Sequence, residues 1–526
     1  MLDDIELFKS AHGIPTARKG DYTLFSVYDP AKETERFVGL CLKNKKPNLV
    51  LVAGDGFGYL AKAAQSILPD AEVLSISYAA DLKGTSFFLP SNCWWPGMGQ
   101  SLTCFLEERL SGRQAFELEI IEWPACQKAF PQLAKNLKEE LSRILRENMH
   151  SLIATLAQGR LWLRNALSNF LNLKKPQLTL GLNPKPLIVI AASGPSLCEA
   201  FPLLTRLRSK LSLWALPSSA MALRAAGLEP DLVVATDGSF WADSLLHFPF
   251  EPVKRLAMPL TASRAVGRRA EEVFVFIQPN FFEEDLAKKS RLPFFKLPGH
   301  GSVAGTALAL ALATSSVPIV FCGLDCCFRD IQAHIKPHPF LTRLEFTANR
   351  FSPFYSKVFR RALAQAPNYI YSLGIRTGPA HEVYAASFKG LPPGRVFRFA
   401  PSAQVVKGMA EIEEEDFYAL AKRALKPEPK GPVLSQAHYP AYTTRQKIVK
   451  DLIKDYLGLV RDWEKNAKGL KPSSQRLLSE LIRFLGGQSG VELWKRGVSF
   501  SPEEIGRLTR EIQDFLQDLL AKFDLA

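Results

Sequence analysis

Between residues 187 and about 400, short apolar runs alternate with helix-like segments: Leu187 to Ala191, Leu211 to Leu216, Leu232 to Ala235, Val273 to Ile277 and Pro318 to Cys322. Runs that are apolar throughout are expected to be strands covered on both faces. Strands of that kind, separated by helices, fold as a mostly parallel sheet with helices on either side. The fold class expected is therefore α/β, with a central Rossmann-like, doubly wound domain. Ligands of such sheets usually sit at the carboxyl edge.

At 526 residues the chain has room for about three domains. Residues 1–130 read as an N-terminal α/β domain. Its signal is the run Asn48 to Ala53, then Gly54-Asp55-Gly56-Phe57-Gly58, a helix through Leu68 and a strand Glu72 to Ser77. The segment Cys93-Trp94-Trp95-Pro96-Gly97 reads as loop. Residues 131–186 read as a helical connector and linker. Leu133, Leu137, Leu141, Ile144 and Leu145 recur at helical spacing in what is expected to be a helix pair, and Pro176 to Pro186 forms the linker. The central domain spans 187–425. After the break Lys426-Pro427-Glu428-Pro429-Lys430-Gly431-Pro432, residues 433–526 read as a C-terminal helical domain, a small appendage.

Composition narrows the partners. Lys and Arg number 66 against 52 Asp and Glu, a formal charge of +14, which suits anionic lipid, acidic small molecules, nucleic acid or merely a solvated surface. No zinc finger, aromatic-glycine RNA-binding signature or basic arm accompanies it, so nucleic acid is not expected. Eight cysteines without a C-x-x-C pair argue against a disulfide framework or zinc site, and the start MLDDIELFKS is not a secretory signal. A cytoplasmic protein is expected. His300 to Cys322 carries no Lys, Arg, Asp or Glu, but its glycines, Thr314, Ser315, Ser316 and Pro318 divide it into a buried helix and a buried strand rather than a membrane span.

Three loops are expected at the carboxyl edge. After Leu187 to Ala191 come Ser193, Gly194, Pro195 and Ser196, either an anion site at a helix start or a serine N-cap on a tight turn. Asp237 ends the strand Leu232 to Ala235, where it could hold a ribose hydroxyl or a metal; Asp231, before that strand, fixes a turn. His300, Gly301, Ser302 and Val303 open an alanine-rich helix that an anion can approach, and Asp325 follows Pro318 to Cys322. Ser193, Ser302 and Asp325 are expected to converge on one anionic ligand. Beyond them a loop, expected to be mobile, carries His334 and His338, which read as a general base, a zinc fragment or simply solvated side chains.

The ordered set SGPSL, AAGLEPDLVVATD, GHGSVAGTALALA and PIVFCGLD resembles the motility-associated factor (Maf) family of flagellin glycosyltransferases over residues 185–390. The central domain of that family is similar to bacterial sialyltransferases. The resemblance implies transfer of a nonulosonic acid, of pseudaminic or legionaminic type, from a CMP-sugar to Ser or Thr hydroxyls of flagellin, with no further cofactor required. It implies that Ser193 to Ser196, Gly301 to Val303, Ser218, Ser219 and Asp237 line the nucleotide-sugar pocket and that Asp325 closes it. His334 would be the base, and Arg329 or Lys336 would steady the phosphate. Sialyltransferases carry a tyrosine pair where Cys326 and Cys327 stand here, which leaves Tyr355, Tyr371 or Tyr384 to substitute. The N-terminal glycine run resembles a dinucleotide or S-adenosylmethionine loop, or a degenerate scaffold that docks protein. Archaeal pterin pyrophosphokinases share the central pattern and would use ATP and magnesium. A non-catalytic flagellin-binding protein is the third reading.

Overall fold

A computed structural model describes residues 5–524, except 46, 83–91, 111–117, 175, 247–251, 389, 400–403, 407, 424–438, 466–471, 488 and 490–501. The chain divides into two units, 1–157 and 158–526. The proline-rich break at 426–432 lies outside the described residues.

The first unit opens with an antiparallel meander of β1 (Ile5–Lys9), β2 (Pro15–Lys19) and β3 (Tyr22–Thr23). The βαβ signal then takes shape: β4 (Leu49–Ala53), buried at every position, leads through the helix Tyr59–Ile67 to the parallel β5 (Glu72–Ile76). With β6 (Cys93–Trp94) and β7 (Leu118–Glu122) they form a sheet of order β6-β5-β4-β7. Cys93 and Trp94 are thus an edge strand and not loop, because Ser75 and Ser77 donate their N–H groups to Asn92 and Trp94. Residues 131–172 form one continuous helix, Pro131–Asn172, where a pair was expected. The apolar spacing continues through Leu156, Leu163, Leu167 and Phe170, and no proline interrupts it.

The second unit is built on β8 (Leu187–Ala191), β9 (Leu211–Ala215), β10 (Leu232–Val234), β11 (Val253–Pro259), β12 (Ala270–Ile277), β13 (Phe295–Lys296) and β14 (Ile319–Cys322). Beyond β14 the chain leaves this sheet to form a small antiparallel one from β15 (Phe328–Arg329), β16 (Asn368–Ile370) and β17 (Ile375–Thr377). It returns as β18 (Val396–Phe399) and β19 (Ala410–Ile412). The nine strands of the large sheet all pair in parallel, in the order β13-β12-β11-β10-β9-β8-β14-β18-β19. Chain order reverses between β8 and β14, the switch point at which such sheets open a crevice.

Alternate residues of β8 serve two cores. Leu187, Val189 and Ala191 face one side, Ile188 and Ile190 the other. Full burial of each aliphatic side chain contributes about 1.5–3 kcal/mol. The helices Tyr442–Lys465, Pro472–Leu485 and Pro502–Asp524 are no appendage, since Val449, Ile453, Leu481, Phe484 and Ile512 belong to the first of these cores together with Phe282 and Leu286. Arg445 donates to the carbonyls of Phe170 and Leu173, and the Tyr456 hydroxyl to Asp285 at 2.9 Å. The uncharged stretch His300 to Cys322 contains the helix Val303–Thr314 and β14. Among the described residues no helix is long and apolar enough to cross a membrane.

Candidate active site at the switch point of the large sheet

The loops after β8 and β14 interlock. Gly194 N–H donates to the Gly323 carbonyl at 2.8 Å, and a Cβ at Gly194 would stand 2.6 Å from that oxygen and 2.5 Å from Asp325 Cγ. Only glycine permits this approach. Gly323 lies at φ +73°, the left-handed region. Asp325 reaches back across the gap: its carboxylate accepts from Ser196 N–H at 2.9 Å and from the Ser196 hydroxyl. Ser196 opens the helix Leu197–Leu207. The free N–H groups and dipole of a helix start attract negative charge, and here the chain's own carboxylate fills that place. The first loop is therefore not the open anion site expected, and Asp325 faces inward. Burial raises its pKa, while the Ser196 bonds and then Arg329 and Arg398 oppose the rise.

On the outer side of the same loop lies His334. Ile335 N–H donates to the Ser193 carbonyl at 2.8 Å, and Ser193 Oγ is 3.2 Å from His334 Nδ1. His338 stacks on His334 with ring centroids 4.2 Å apart. It caps the helix Pro339–Phe346, its Nδ1 accepting from Phe340 N–H, and its buried Nε2 has no partner among the described residues. Ile335 and His338 are each 2% exposed, so this segment is packed in place and not the mobile loop expected. Arg361, on the helix Phe354–Gln365, lies 3.8 Å above the Phe340 ring. Trp241 meets the Phe340 ring in an edge contact, with centroids 6.0 Å apart.

These surroundings keep both imidazoles neutral. Burial lowers His334 to about 4, with Arg361 and His381 adding to the effect and the Ser193 backbone bond opposing it. His338 is pushed lower still by burial, His334 and Arg361. His381, whose Nδ1 is buried without a partner among the described residues, is also lowered by burial. The cluster thus gathers cationic and neutral donors, a setting that favours an anionic ligand. Sequence spacing singles out His334 and His338, whereas Arg361, His381, Phe340 and Trp241 carry no local signal: the first three are brought in by the excursion between β14 and β18, and Trp241 by the helix Phe240–Leu246 after β10.

The remaining expected residues divide. Arg329 stays near the loop but pairs with Glu199 at 2.8 Å. Pro195 accepts from Cys198 Sγ through its carbonyl. Ser219 is buried, its hydroxyl donating to Ala191 at 2.6 Å and accepting from Leu216 N–H, so it fastens a helix to the end of β8 and is not offered to a nucleotide. Ser218 beside it is half-buried. Asp237 is exposed and accepts from Ser239 N–H and Oγ; Asp231 fixes its turn through Arg208 and Leu213 N–H. Ser302 caps the helix Val303–Thr314 by accepting from Gly305 N–H at 3.1 Å, while Gly301 leaves open space. The His300 ring lies against Gly305 and Phe388. His300 and Ser302 thus follow the end of β13, each engaged in contacts of its own. Tyr355, Tyr371 and Tyr384 are exposed. A cavity of about 220 Å³ beside β12 and β13 is lined by Gln278, Pro279, Lys296 and Pro298, not by the histidine cluster.

In the first unit the glycine loop is filled by protein. A Cβ at Gly56 would lie 2.4 Å from the Phe25 ring, which stacks on Trp123. Buried Asp55 accepts from Leu60 and Ala61 N–H and from Ser75, completing the helix start as Asp325 does in the second unit.

A family model described as 6-hydroxymethylpterin diphosphokinase MptE-like matches residues 164–330. An uncharacterized protein of Treponema pallidum (strain Nichols) is 26% identical over 354 residues, 65% of this chain and 74% of that protein. The structure of a Maf glycosyltransferase from Magnetospirillum magneticum AMB-1 aligns with a TM-score of 0.50 and 11% identity, over 99% of this chain and 91% of that one. The chain has the Maf glycosyltransferase fold. Within this Maf fold the pterin-kinase-like match takes in Ser193, Asp237, Ser302 and Asp325 but stops short of His334 and His338.

Proposed function

We propose that the protein is a cytoplasmic glycosyltransferase that moves a nonulosonic acid from a CMP-sugar to Ser or Thr hydroxyls of flagellin. The observation that carries this reading is the neutral His334 held against Ser193 at the switch point of a Maf fold, amid Arg361, His338 and His381. In the reaction the acceptor oxygen forms a bond to the anomeric carbon of the sugar. The bond from that carbon to the phosphate oxygen breaks, and its electron pair leaves with CMP. His334 takes the hydroxyl proton. A phosphate beside the ring favours imidazolium, so donor binding draws the pKa of His334 up from about 4 and makes it a better base. Arg361 and the N–H groups of the histidines supply donors for the charge developing on the phosphate. Asp325 acts as a positioning residue, holding the Ser193 loop through Ser196.

The test is incubation of the protein with CMP-pseudaminic or CMP-legionaminic acid and unmodified flagellin. The expected outcome is CMP release matched by one added sugar mass per modified hydroxyl. Because the family match names a pterin diphosphokinase, the competing reading is diphosphoryl transfer from ATP. Turnover that needs ATP and magnesium, without CMP release, decides for it. Retention of flagellin with neither activity decides for a binding protein.

A further inference from the structure

From Phe346 to His381 the chain has no aspartate or glutamate, yet Arg350, Lys357, Arg360, Arg361 and Arg376 fall within it. In the same stretch Phe346 is 80% exposed, Phe351 94%, Tyr355 69% and Tyr371 87%. Large apolar groups displayed together in this way mark an interaction surface.

The surface is held in shape. Asn349 Oδ1 accepts from the N–H groups of Phe351 and Ser352, each at 3.0 Å, and the Asn349 and Ser352 backbones pair. Lys357 Nζ donates to the carbonyl and hydroxyl of Thr347 across the turn. Along the helix Phe354–Gln365, Tyr355, Phe359 and Leu363 recur every four residues as an exposed stripe, while Ala362 is buried. Arg360, also exposed, follows Phe359.

The geometry points to this face, residues 346–363, as a seat for an anionic bilayer surface. A bilayer with anionic headgroups offers negative charge and, just beneath it, an apolar layer. Aromatic rings favour that boundary, and basic residues beside them meet the headgroups. Rings that stand this far out need no matching sockets in a bilayer, whereas anchors in a protein interface fill pockets. Within the stretch no acidic residue opposes an anionic surface; exposed Glu345 and Glu382 stand only at its two ends. The contact is peripheral; Arg361, on the same helix, belongs to the histidine cluster, but the exposed rings and Arg350 and Arg360, on which the test rests, do not.

Co-sedimentation of the full chain with phosphatidylcholine vesicles containing about one third phosphatidylglycerol tests the assignment. Binding is expected to be roughly tenfold or more stronger than to pure phosphatidylcholine and to weaken with salt. Phe351→Ser with Tyr355→Ser should lower it about tenfold, as should Arg350→Gln with Arg360→Gln, with the melting temperature unchanged because all four side chains are exposed or tip-placed. Equal binding to neutral vesicles, no binding, or anionic binding that survives the ring substitutions overturns the proposal. Should the wild type ignore vesicles but hold unmodified flagellin, and the ring variant lose that hold, the face belongs to a protein partner instead.

Discussion

In the proposed reaction His334 serves as the base because of where it is placed. Free imidazole is about half protonated near pH 6.5; burial, Arg361 and His381 bring this ring to about 4 in the unliganded protein, so at neutral pH it is ready to accept a proton. Activity read as kcat/KM, which reports the free enzyme, should stay level from neutrality down to about pH 5 and fall as pH drops through about 4. His334→Ala should lower turnover by about 10²- to 10⁴-fold, abolish that acid limb and leave CMP affinity nearly unchanged. Equal losses in turnover and affinity would assign the ring to binding alone. The same depressed pKa acts on stability. Between about 4 and the unfolded value the unfolded chain carries the extra proton, so stability is lost as pH falls through that window and is fully present above it.

At the scale of elements, both βαβ starts are closed from within: Asp55 and Asp325 take the N-termini of the helices that follow β4 and β8. In the second unit this binds two strand ends into one rigid floor beneath the histidines. Gly194 is the critical spacing. Gly194→Ala places a methyl group against the Gly323 carbonyl and the Asp325 carboxyl; the first cannot retreat without breaking its bond from Gly194 N–H, nor the second without breaking the Ser196 bonds. It should cost about 1–3 kcal/mol, seen as a lower melting temperature, and reduce turnover together with it. Unchanged stability would mean that the loops separate more readily than their bonds imply. The motif SGPS was legible in the sequence as a loop at a strand end. That its helix start is already occupied was not, because the occupant comes from the loop after β14, 129 positions away.

At the scale of the molecule, the C-terminal helices belong to the core of the sheet. Val449, Ile453, Phe484 and Ile512 pack with Phe282 and Leu286, and at Gly159 a Cβ would stand 1.9 Å from the Phe484 carbonyl, so helices meet there backbone to backbone. Removing residues 439–526 should leave a product that aggregates or unfolds without a sharp transition and binds a hydrophobic dye. A truncated chain that still melts cooperatively would show the helices to be dispensable. Leucine periodicity announced these helices but not what they cover, since an amphipathic stripe specifies that a face is buried and leaves its partner open.

The parallel sheet can be read from runs such as Leu187–Ala191, whose every residue must leave water, and the places of Ser193, Asp237 and Asp325 after strands can be read with it, because backbone period and turn residues are local properties. Tertiary structure alone decided that Asp325 turns inward, that Ser219 fastens a helix, and that Arg361, His338 and His381 gather around His334. Those outcomes depend on which charges and rings meet between separate elements, 28 residues apart for Ser219 and Ala191 and 129 for Ser196 and Asp325. Burial and pairing at that range follow from the packing of whole elements, which no short stretch of sequence contains.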